Sequence, residues 1–243
     1  MSDSGEGPTL LVLHPGGTDS RSMEALCAEL AGYRILLVDR PGHGRSADVD
    51  GPWSFAQMAD AMAEVLDDLG DVGGDPVHVL GWSDGAIVGL HLALRRPDLV
   101  ATLVFGGAVF HHEGWHDGVL DEGEPPQFLA DSYAELSPDG ADHWPTVVAK
   151  SVELHRVEPA LTEAQLGRID IPVLLVFGDD DEVRFDHILR MYDALPDAEL
   201  AVVPRSTHGL IVEKPDAVAR FVRDLHRPDR SNGLAPRRRA PSV

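Results

Sequence analysis

Short apolar runs alternate along the chain with longer segments in which apolar residues recur every three or four positions. The short runs are continuously apolar, which is typical of strands buried on both faces, and the longer segments have the period of amphipathic helices. The runs occupy residues 9–14, 34–39, 77–82, 102–107, 173–178 and 199–204. Six such runs separated by helices predict an α/β fold with a doubly wound, mostly parallel sheet.

The helical segments carry recognisable start and stop signals. They are predicted at 22–32, 54–70, 187–196 and 216–226. Ser54 followed three residues later by Gln57 indicates a capping box, and Gly32 indicates the end of the first helix. Each helix can therefore connect two neighbouring parallel strands.

One long segment departs from this alternation and suggests the domain organisation. Residues 108–167 show no strand pattern and several short helical stretches, which predicts a short helical cap inserted after the strand at 102–107. Residues 1–107 and 168–226 would then form one core domain. Residues 227–243 contain five arginines, one aspartate and few apolar residues, which predicts a disordered basic tail.

The net charge argues against some kinds of partner, and the cysteine content excludes an intramolecular disulfide. A formal net charge of −21 argues against nucleic-acid or anionic-membrane partners, because phosphate binding needs a basic face. Cys27 is the only cysteine, so an intramolecular disulfide is impossible. The sequence shows neither a signal peptide nor an apolar run long enough to span a membrane. We expect a cytoplasmic protein with a small-molecule substrate, and the sequence leaves a homodimer open.

The stretch GWSDG at 81–85 raises the question of nucleophilic catalysis. It follows the apolar run at 77–80 and precedes a helical segment, so Ser83 lies where a strand turns sharply into a helix. Gly81 and Gly85 flank the serine at two positions on either side, where larger side chains would collide. This G-x-S-x-G context predicts that Ser83 is an exposed nucleophile.

Three further loops carry matching chemistry. The glycine-containing loop HPGG at 14–17 follows the first strand and can turn backbone N–H groups toward an oxygen. Asp179, Asp180 and Asp181 lie at the end of the strand at 173–178, and His208 follows the next strand. Ser, acid and His therefore lie at the carboxyl ends of strands, where an open α/β sheet forms its ligand crevice. The chemistry alone leaves open which aspartate orients His208.

Together these motifs resemble those of the α/β-hydrolase fold family over about residues 9–225. HPGG resembles its oxyanion loop, DRPGHGRS at 39–46 its D-x-x-G-x-G-x-S loop, GWSDG its nucleophile elbow and STHG its histidine loop. The serine followed by aspartate is similar to the elbow of valacyclovirase-like small esterases. Proline replaces the usual glycine at position 15 and has no N–H, so the oxyanion donor must be Gly16 or Gly17.

The resemblance implies a serine hydrolase that uses neither a cofactor nor a metal. Its spacing selects Asp181 as the acid beside His208, with Ser83 as the nucleophile. The N–H groups of Gly16 and Asp84 would bind the oxyanion. We further expect four residues to contact the substrate: Gly17, Trp82, Trp115 and Trp144.

The substrate is predicted only by class, as a small ester, thioester or lactone. A C–C bond hydrolase with the same three residues is an alternative, and so is a ligand-binding homologue without turnover. Histidines of the predicted cap could suggest a metal site, but their spacing matches no zinc motif. They are His111, His112, His116 and His143.

Overall fold

A computed structural model describes residues 1–69, 75–120, 123 and 125–227, and within them the chain forms a seven-stranded sheet. The strand order is β1-β3-β2-β4-β5-β6-β7, and every neighbouring pair is parallel except the antiparallel pair β1 and β3. The strands are β1 Ser2–Ser4, β2 Thr9–Leu13, β3 Arg34–Val38, β4 Val77–Trp82, β5 Val100–Gly106, β6 Val173–Asp180 and β7 Ala198–Thr207. This confirms the predicted α/β class and the doubly wound sheet.

Helices cover both faces of the sheet, so alternate residues of each central strand enter different cores. Along β2, Leu11 and Leu13 belong to one hydrophobic core, whereas Leu10 and Val12 belong to a second core. The helices are α1 Glu24–Ala28, α2 Phe55–Asp68, α3 Asp84–Arg95, α4 Gln127–Leu136, α5 Trp144–Val157, α6 Glu163–Leu166, α7 Phe185–Ala194, α8 Leu210–Glu213 and α9 Pro215–Leu225. Burial on both faces explains why the strands read as continuous apolar runs.

The structure departs from the sequence prediction at the amino-terminal edge. The polar strand β1 has no apolar pattern, yet it pairs with β3, and Asp3 accepts two hydrogen bonds from Arg34 at 3.0 and 2.6 Å. The helix predicted at 22–32 is shorter, because a 3-10 turn occupies Ser20–Met23 and α1 ends at Ala28. Ser54 caps α2 by accepting from the N–H of Gln57 at 3.2 Å.

Residues 108–167 contain α4, α5 and α6 together with two short 3-10 turns, as the helical stretches of their sequence predict. The proposed tail at 227–243 lies outside the described residues except for Arg227. Among the helices that the structure describes, none is both long and apolar enough to cross a membrane.

The register of the sheet gathers the loops at one edge. Leu13 pairs with Gly81, and Trp82 pairs with Gly106, so the loops after β2, β4 and β5 begin side by side. The β6–β7 register continues this edge to the acid and histidine loops. Ser83, Asp181 and His208 each come directly after the last residue of a strand at this edge, namely β4, β6 and β7.

Candidate active site

Ser83 lies at the corner between β4 and α3 in a strained backbone conformation. Its φ and ψ are 54° and −126°, a region that L-residues rarely adopt. Its N–H donates to the carbonyl of Gly106 at 2.8 Å, and the carbonyl of Ser83 accepts from Ala86 at 2.8 Å. These bonds hold the corner, and Ser83 is only 9% exposed, so the expectation of an exposed residue is wrong.

The two flanking glycines are required by close backbone contacts. A Cβ at Gly81 would overlap the carbonyl of Gly85, and a Cβ at Gly85 would overlap the carbonyl of Leu13. Both obstacles are backbone atoms, so neither can move aside as a flexible side chain would. The predicted steric reason for the G-x-S-x-G spacing therefore operates in this chain.

His208 and Asp181 meet across the neighbouring strands β7 and β6. Nδ1 of His208 lies 3.0 Å from Oδ1 of Asp181, and the Asp181 side chain is 1% exposed. The N–H groups of Gly178 and Glu182 donate to the same carboxylate at 3.1 and 2.8 Å. These bonds fix the orientation of the Asp181 carboxylate against the imidazole.

The other two aspartates of the run point elsewhere. Oδ1 of Asp179 accepts from the N–H of Ser206 at 3.1 Å, and Asp180 is exposed. Glu182, which the sequence analysis did not consider, places Oε2 3.7 Å from Nδ1 of His208. Among the three candidates, Asp181 alone bonds His208.

The carboxylates around His208 favour its protonated form. Burial alone would lower the pKa of His208, but the hydrogen bond and charge of Asp181, with Glu182 behind them, raise the pKa above its ordinary value. Since Nδ1 donates to Asp181, Nε2 is the nitrogen available as a base. No described residue forms a hydrogen bond with Nε2 or with Oγ of Ser83, and such contacts often close only when substrate binds.

The loop between β2 and Ser20 is built around a neutral histidine. Nδ1 of His14 donates to the carbonyl of Pro15 at 2.8 Å, and its Nε2 accepts from the N–H of Arg40 at 3.2 Å. Burial and the charge of Arg40 lower the pKa of His14 well below its ordinary value. Arg40 also donates to the Pro15 carbonyl at 2.9 Å.

Two backbone N–H groups near Ser83 belong to Gly16 and Asp84. In the described residues neither N–H group makes a hydrogen bond, so both can donate to an oxyanion.

The side chain of Asp84 packs against this loop and is buried. A Cβ at Gly16 would overlap its carboxylate, which therefore lies directly on the Gly16 backbone. Oδ1 lies 2.8 Å from Nε2 of His155 on α5, and Oδ2 lies 3.9 Å from Nη1 of Arg40. Burial alone would raise the pKa of Asp84, but these two cations hold it well below its usual range.

Two further aspartates of the core loops bind helices of the 127–157 region. Oδ2 of Asp19 accepts from the hydroxyl of Ser132 at 2.7 Å. Asp48 binds Lys150 at 2.6 Å and His143 at 2.8 Å. The helices α4 and α5 are therefore attached to the catalytic edge of the sheet through polar contacts.

The residues predicted to touch the substrate lie in different settings. Gly17 faces the α4–α5 region, because a Cβ built on it would lie 3.5 Å from Leu129 and 3.9 Å from Trp144. The Trp115 ring lies edge-on to His208 with centroids 6.3 Å apart. Trp82 is 1% exposed and its Nε1 donates to the carbonyl of His208 at 2.9 Å. This bond attaches β4 to the histidine loop, and substrate contact by Trp82 stays a prediction.

A cavity of about 820 Å³ lies behind Trp115 and is lined by several histidines of the predicted cap. They are His111, His112 and His116. Two arginines of its wall are already paired, Arg184 with Asp186 at 3.0 Å and Arg190 with Glu163 at 2.7 Å. In the described part of the chain no group of three or more His, Cys, Asp or Glu residues is arranged to hold a metal ion.

Sequence reasoning missed His155, Arg40 and Glu182 as parts of the site. Arg40 lies in the loop DRPGHGRS at 39–46. Its place in a motif that resembles the family's was a signal that it lies near the site. His155 stands in the ordinary helical stretch SVELHRV and no spacing distinguishes it. Only the placement of α5 over the Ser83 corner reveals its contact with Asp84.

Comparison with known proteins agrees with this geometry. The alpha/beta hydrolase family model matches residues 10–221. The chain is 30% identical over 262 residues to a 2-hydroxy-6-oxononadienedioate/2-hydroxy-6-oxononatrienedioate hydrolase of Cupriavidus pinatubonensis, covering 92% of this chain and 89% of that protein. It is 27% identical over 246 residues to a pimeloyl-[acyl-carrier protein] methyl ester esterase of Neisseria meningitidis serogroup C, covering 88% and 91%.

A solved structure gives the same fold. The enol-lactonase from Burkholderia xenovorans superposes with a TM-score of 0.71 at 20% identity, covering 92% of this chain and 94% of that one. At this identity the likeness concerns the fold alone.

Proposed function

Because the chain belongs to the alpha/beta hydrolase family and the two relatives described above are named as a hydrolase and an esterase, we propose that it is a serine hydrolase of small esters, thioesters or lactones. One observation carries the proposal. Ser83 sits at a strained strand–helix corner whose preceding residue, Trp82, is hydrogen bonded to the loop of His208, and His208 in turn bonds Asp181. We expect the substrate to be a small molecule and the protein to be cytoplasmic.

Acylation uses His208 as a base. Oγ of Ser83 attacks the carbonyl carbon while its proton passes to Nε2 of His208, and Asp181 stabilises the resulting imidazolium through Nδ1. The carbonyl oxygen gains negative charge and accepts from the N–H groups of Gly16 and Asp84. When the tetrahedral intermediate collapses, the leaving alkoxide or thiolate takes the proton from Nε2.

Deacylation repeats these steps with water. Nε2 of His208 removes a proton from water as the water oxygen attacks the acyl carbon of the Ser83 ester. The same two N–H groups bind the second oxyanion, and Oγ leaves with the proton from Nε2. The products of this step are a carboxylic acid and free enzyme.

A second candidate is C–C bond hydrolysis of a dienoate. The observation in its favour is the relative from Cupriavidus pinatubonensis, which is named for hydrolysis of such compounds. The relative named as a methyl ester esterase favours the ester instead. A receptor without turnover is the third possibility, and it would keep the fold while releasing almost no product.

Two measurements separate these possibilities. The purified protein is treated with a fluorophosphonate probe and the modified peptide is identified by mass spectrometry, with Ser83→Ala as the control. In parallel, turnover is measured on p-nitrophenyl esters, on lactones and on an oxo-dienoate. We expect rapid labelling at Ser83 and ester turnover. Labelling elsewhere, or labelling without turnover of any substrate, contradicts the proposal.

A further inference from the structure

A buried ion pair joins helix α5 to the residue that follows the proposed nucleophile. Nε2 of His155 lies 2.8 Å from Oδ1 of Asp84, and the two side chains are 15% and 6% exposed. The ring of Phe55 covers one side of the imidazole, with centroids 5.8 Å apart. Nothing in the proposed proton transfers uses His155, so its burial beside the site calls for a different explanation.

The hydrogen bonds of His155 require the cationic form. Nδ1 lies 2.8 Å from the carbonyl of Ser151, which can only accept, so Nδ1 must donate. Nε2 faces the Asp84 carboxylate, which also only accepts when ionised. Arg40, 3.9 Å from the other carboxylate oxygen, favours that ionised state. An imidazole that donates from both nitrogens carries a positive charge.

The Asp84 carboxylate occupies a sensitive place. It lies on the Gly16 backbone, and the N–H groups of Gly16 and Asp84 are the proposed oxyanion donors. A negative charge beside those donors would repel the oxyanion as it forms. A carboxylate free to rotate could also accept from the Gly16 N–H and occupy the donor. Both effects are prevented while a cation holds the carboxylate in its present orientation.

We propose that His155 is a positioning residue of this site: its imidazolium, carried by α5, neutralises the Asp84 carboxylate and fixes its orientation beside the oxyanion donors. This rests on the proposed function, because it assigns His155 a role in stabilising the oxyanion of that reaction. Arg40 supplies a second cation from the core, at the longer distance of 3.9 Å. The negative charge of Asp84 is therefore balanced by two cations of the protein, His155 and Arg40.

The inference predicts an alkaline limit to activity. The groups that face the pair are Asp84 from α3, Arg40 from the loop after β3 and the uncharged Phe55 ring from α2, with neutral His43 behind Asp84. Burial opposes the charge on His155, but Asp84 outweighs it and raises the pKa of His155 to about 8. The cation is present below that pH and is lost above it, so kcat should fall as pH rises through about 8.

The test compares three variants on a p-nitrophenyl ester. We expect His155→Gln to lower kcat by about tenfold or more, with KM changed less than about threefold, because the loss falls on the oxyanion. Adding Asp84→Asn to this variant removes the uncompensated charge but keeps the backbone N–H, and should raise kcat at least about threefold above that of His155→Gln. The alkaline limb should be absent from the double variant.

His143→Gln is the matched control. His143 also bonds an aspartate of a core loop, with 2.8 Å between Nε2 and Oδ2 of Asp48, but that aspartate is not next to Ser83. We expect its kcat to stay within about twofold of wild type, because the oxyanion donors are not involved. An equal loss in His155→Gln and the double variant would reduce His155 to a structural contact and overturn the inference. Unchanged kcat in His155→Gln would overturn it as well.

An NMR titration of His155 separates this inference from the proposed function. We expect a titration near pH 8 in wild type that moves to lower pH in Asp84→Asn. If wild type hydrolyses no ester and Ser83 is not labelled, the proposed function fails and the catalytic role of His155 fails with it. If esters are hydrolysed but His155 titrates independently of Asp84, only the role of His155 is overturned.

Discussion

The carboxyl edge of the sheet and the helices of the 127–157 region hold their functional side chains in opposite ways. At the sheet edge, Ser83, Asp181 and His208 follow strands whose register fixes their spacing through backbone hydrogen bonds. The helices instead reach the site through side chains, such as Lys150 on Asp48 and His155 on Asp84. The first arrangement follows from local sequence, whereas the second depends on pairing between distant residues.

The largest expected effect comes from removing the proposed nucleophile at the sheet edge. We expect Ser83→Ala to lower turnover of p-nitrophenyl acetate by about a millionfold, because no other group can form the acyl-enzyme. The corner is held by backbone contacts, so the circular dichroism spectrum should be unchanged. A folded variant that keeps a tenth of wild-type activity would show that the sheet edge does not supply the nucleophile.

The next largest effect tests which of three consecutive aspartates orients His208. We expect Asp181→Asn to lower kcat by at least about a hundredfold, because the amide favours the wrong tautomer of His208. The controls are Asp180→Asn and Asp179→Asn, which should change kcat by less than about tenfold because neither residue bonds His208. Steady-state kinetics on one ester compares all three. A greater loss in Asp180→Asn would contradict the geometry of this turn.

A smaller effect concerns the pH at which the site becomes active. Only neutral His208 can accept the serine proton, and Asp181 and Glu182 raise its pKa above the ordinary value of 6.5. Activity should therefore rise with pH through a midpoint above 6.5. Measuring kcat/KM from pH 5 to pH 9 locates the midpoint, and Glu182→Gln should move it to lower pH. A wild-type midpoint below 6.5 would contradict the charge environment described for His208.

The smallest effect on activity is expected where Asp48 binds the helices of the 127–157 region. Burial alone would raise the pKa of Asp48, but Lys150 and His143 hold it at about 2, below its ordinary value of 3.8. We expect Asp48→Asn to lower the free energy of unfolding by about 2 kcal/mol at pH 7. Since kcat should change less than about threefold, stability and activity separate here.

Urea unfolding at several pH values checks this prediction. The pKa of Asp48 is depressed by folding, so its stabilisation is present above 3.8 and is lost as pH falls toward 2. The difference between wild type and Asp48→Asn should therefore vanish near pH 2. Asp60→Asn is the control, because its pair with Arg95 is nearly half exposed and should contribute less than about 1 kcal/mol. Equal effects of the two substitutions would contradict a special role for Asp48.

The sequence predicted the parts of this molecule that are determined locally. Six strands, the Ser83 corner and the position of His208 follow from apolar runs and glycine spacing, and the Asp181 choice followed from the family spacing. Strand β1 was missed because SDS has no apolar pattern and pairs only through its backbone and Asp3. The contact of His155 with Asp84 spans 71 residues, and no local pattern encodes it.

The boundaries of the predicted cap at 108 and 167 stay a prediction. The helical period of apolar residues predicts that α4 and α5 form, but it does not predict which loop each helix covers. That choice depends on buried aspartates in the core loops, and those residues look like ordinary surface acids in the sequence. The burial of Trp82 was likewise hidden, because its indole N–H bonds a carbonyl 126 residues away.

The positive φ of Ser83 lowers the stability of the fold in exchange for a hydroxyl group at this corner. A non-glycine residue in such a conformation costs on the order of 1 to 3 kcal/mol, and glycine would adopt it without that cost. Ser83→Gly should therefore raise the melting temperature while ending hydrolysis. Stability alone would favour glycine at this position, so the presence of a serine here is explained by the proposed nucleophilic role.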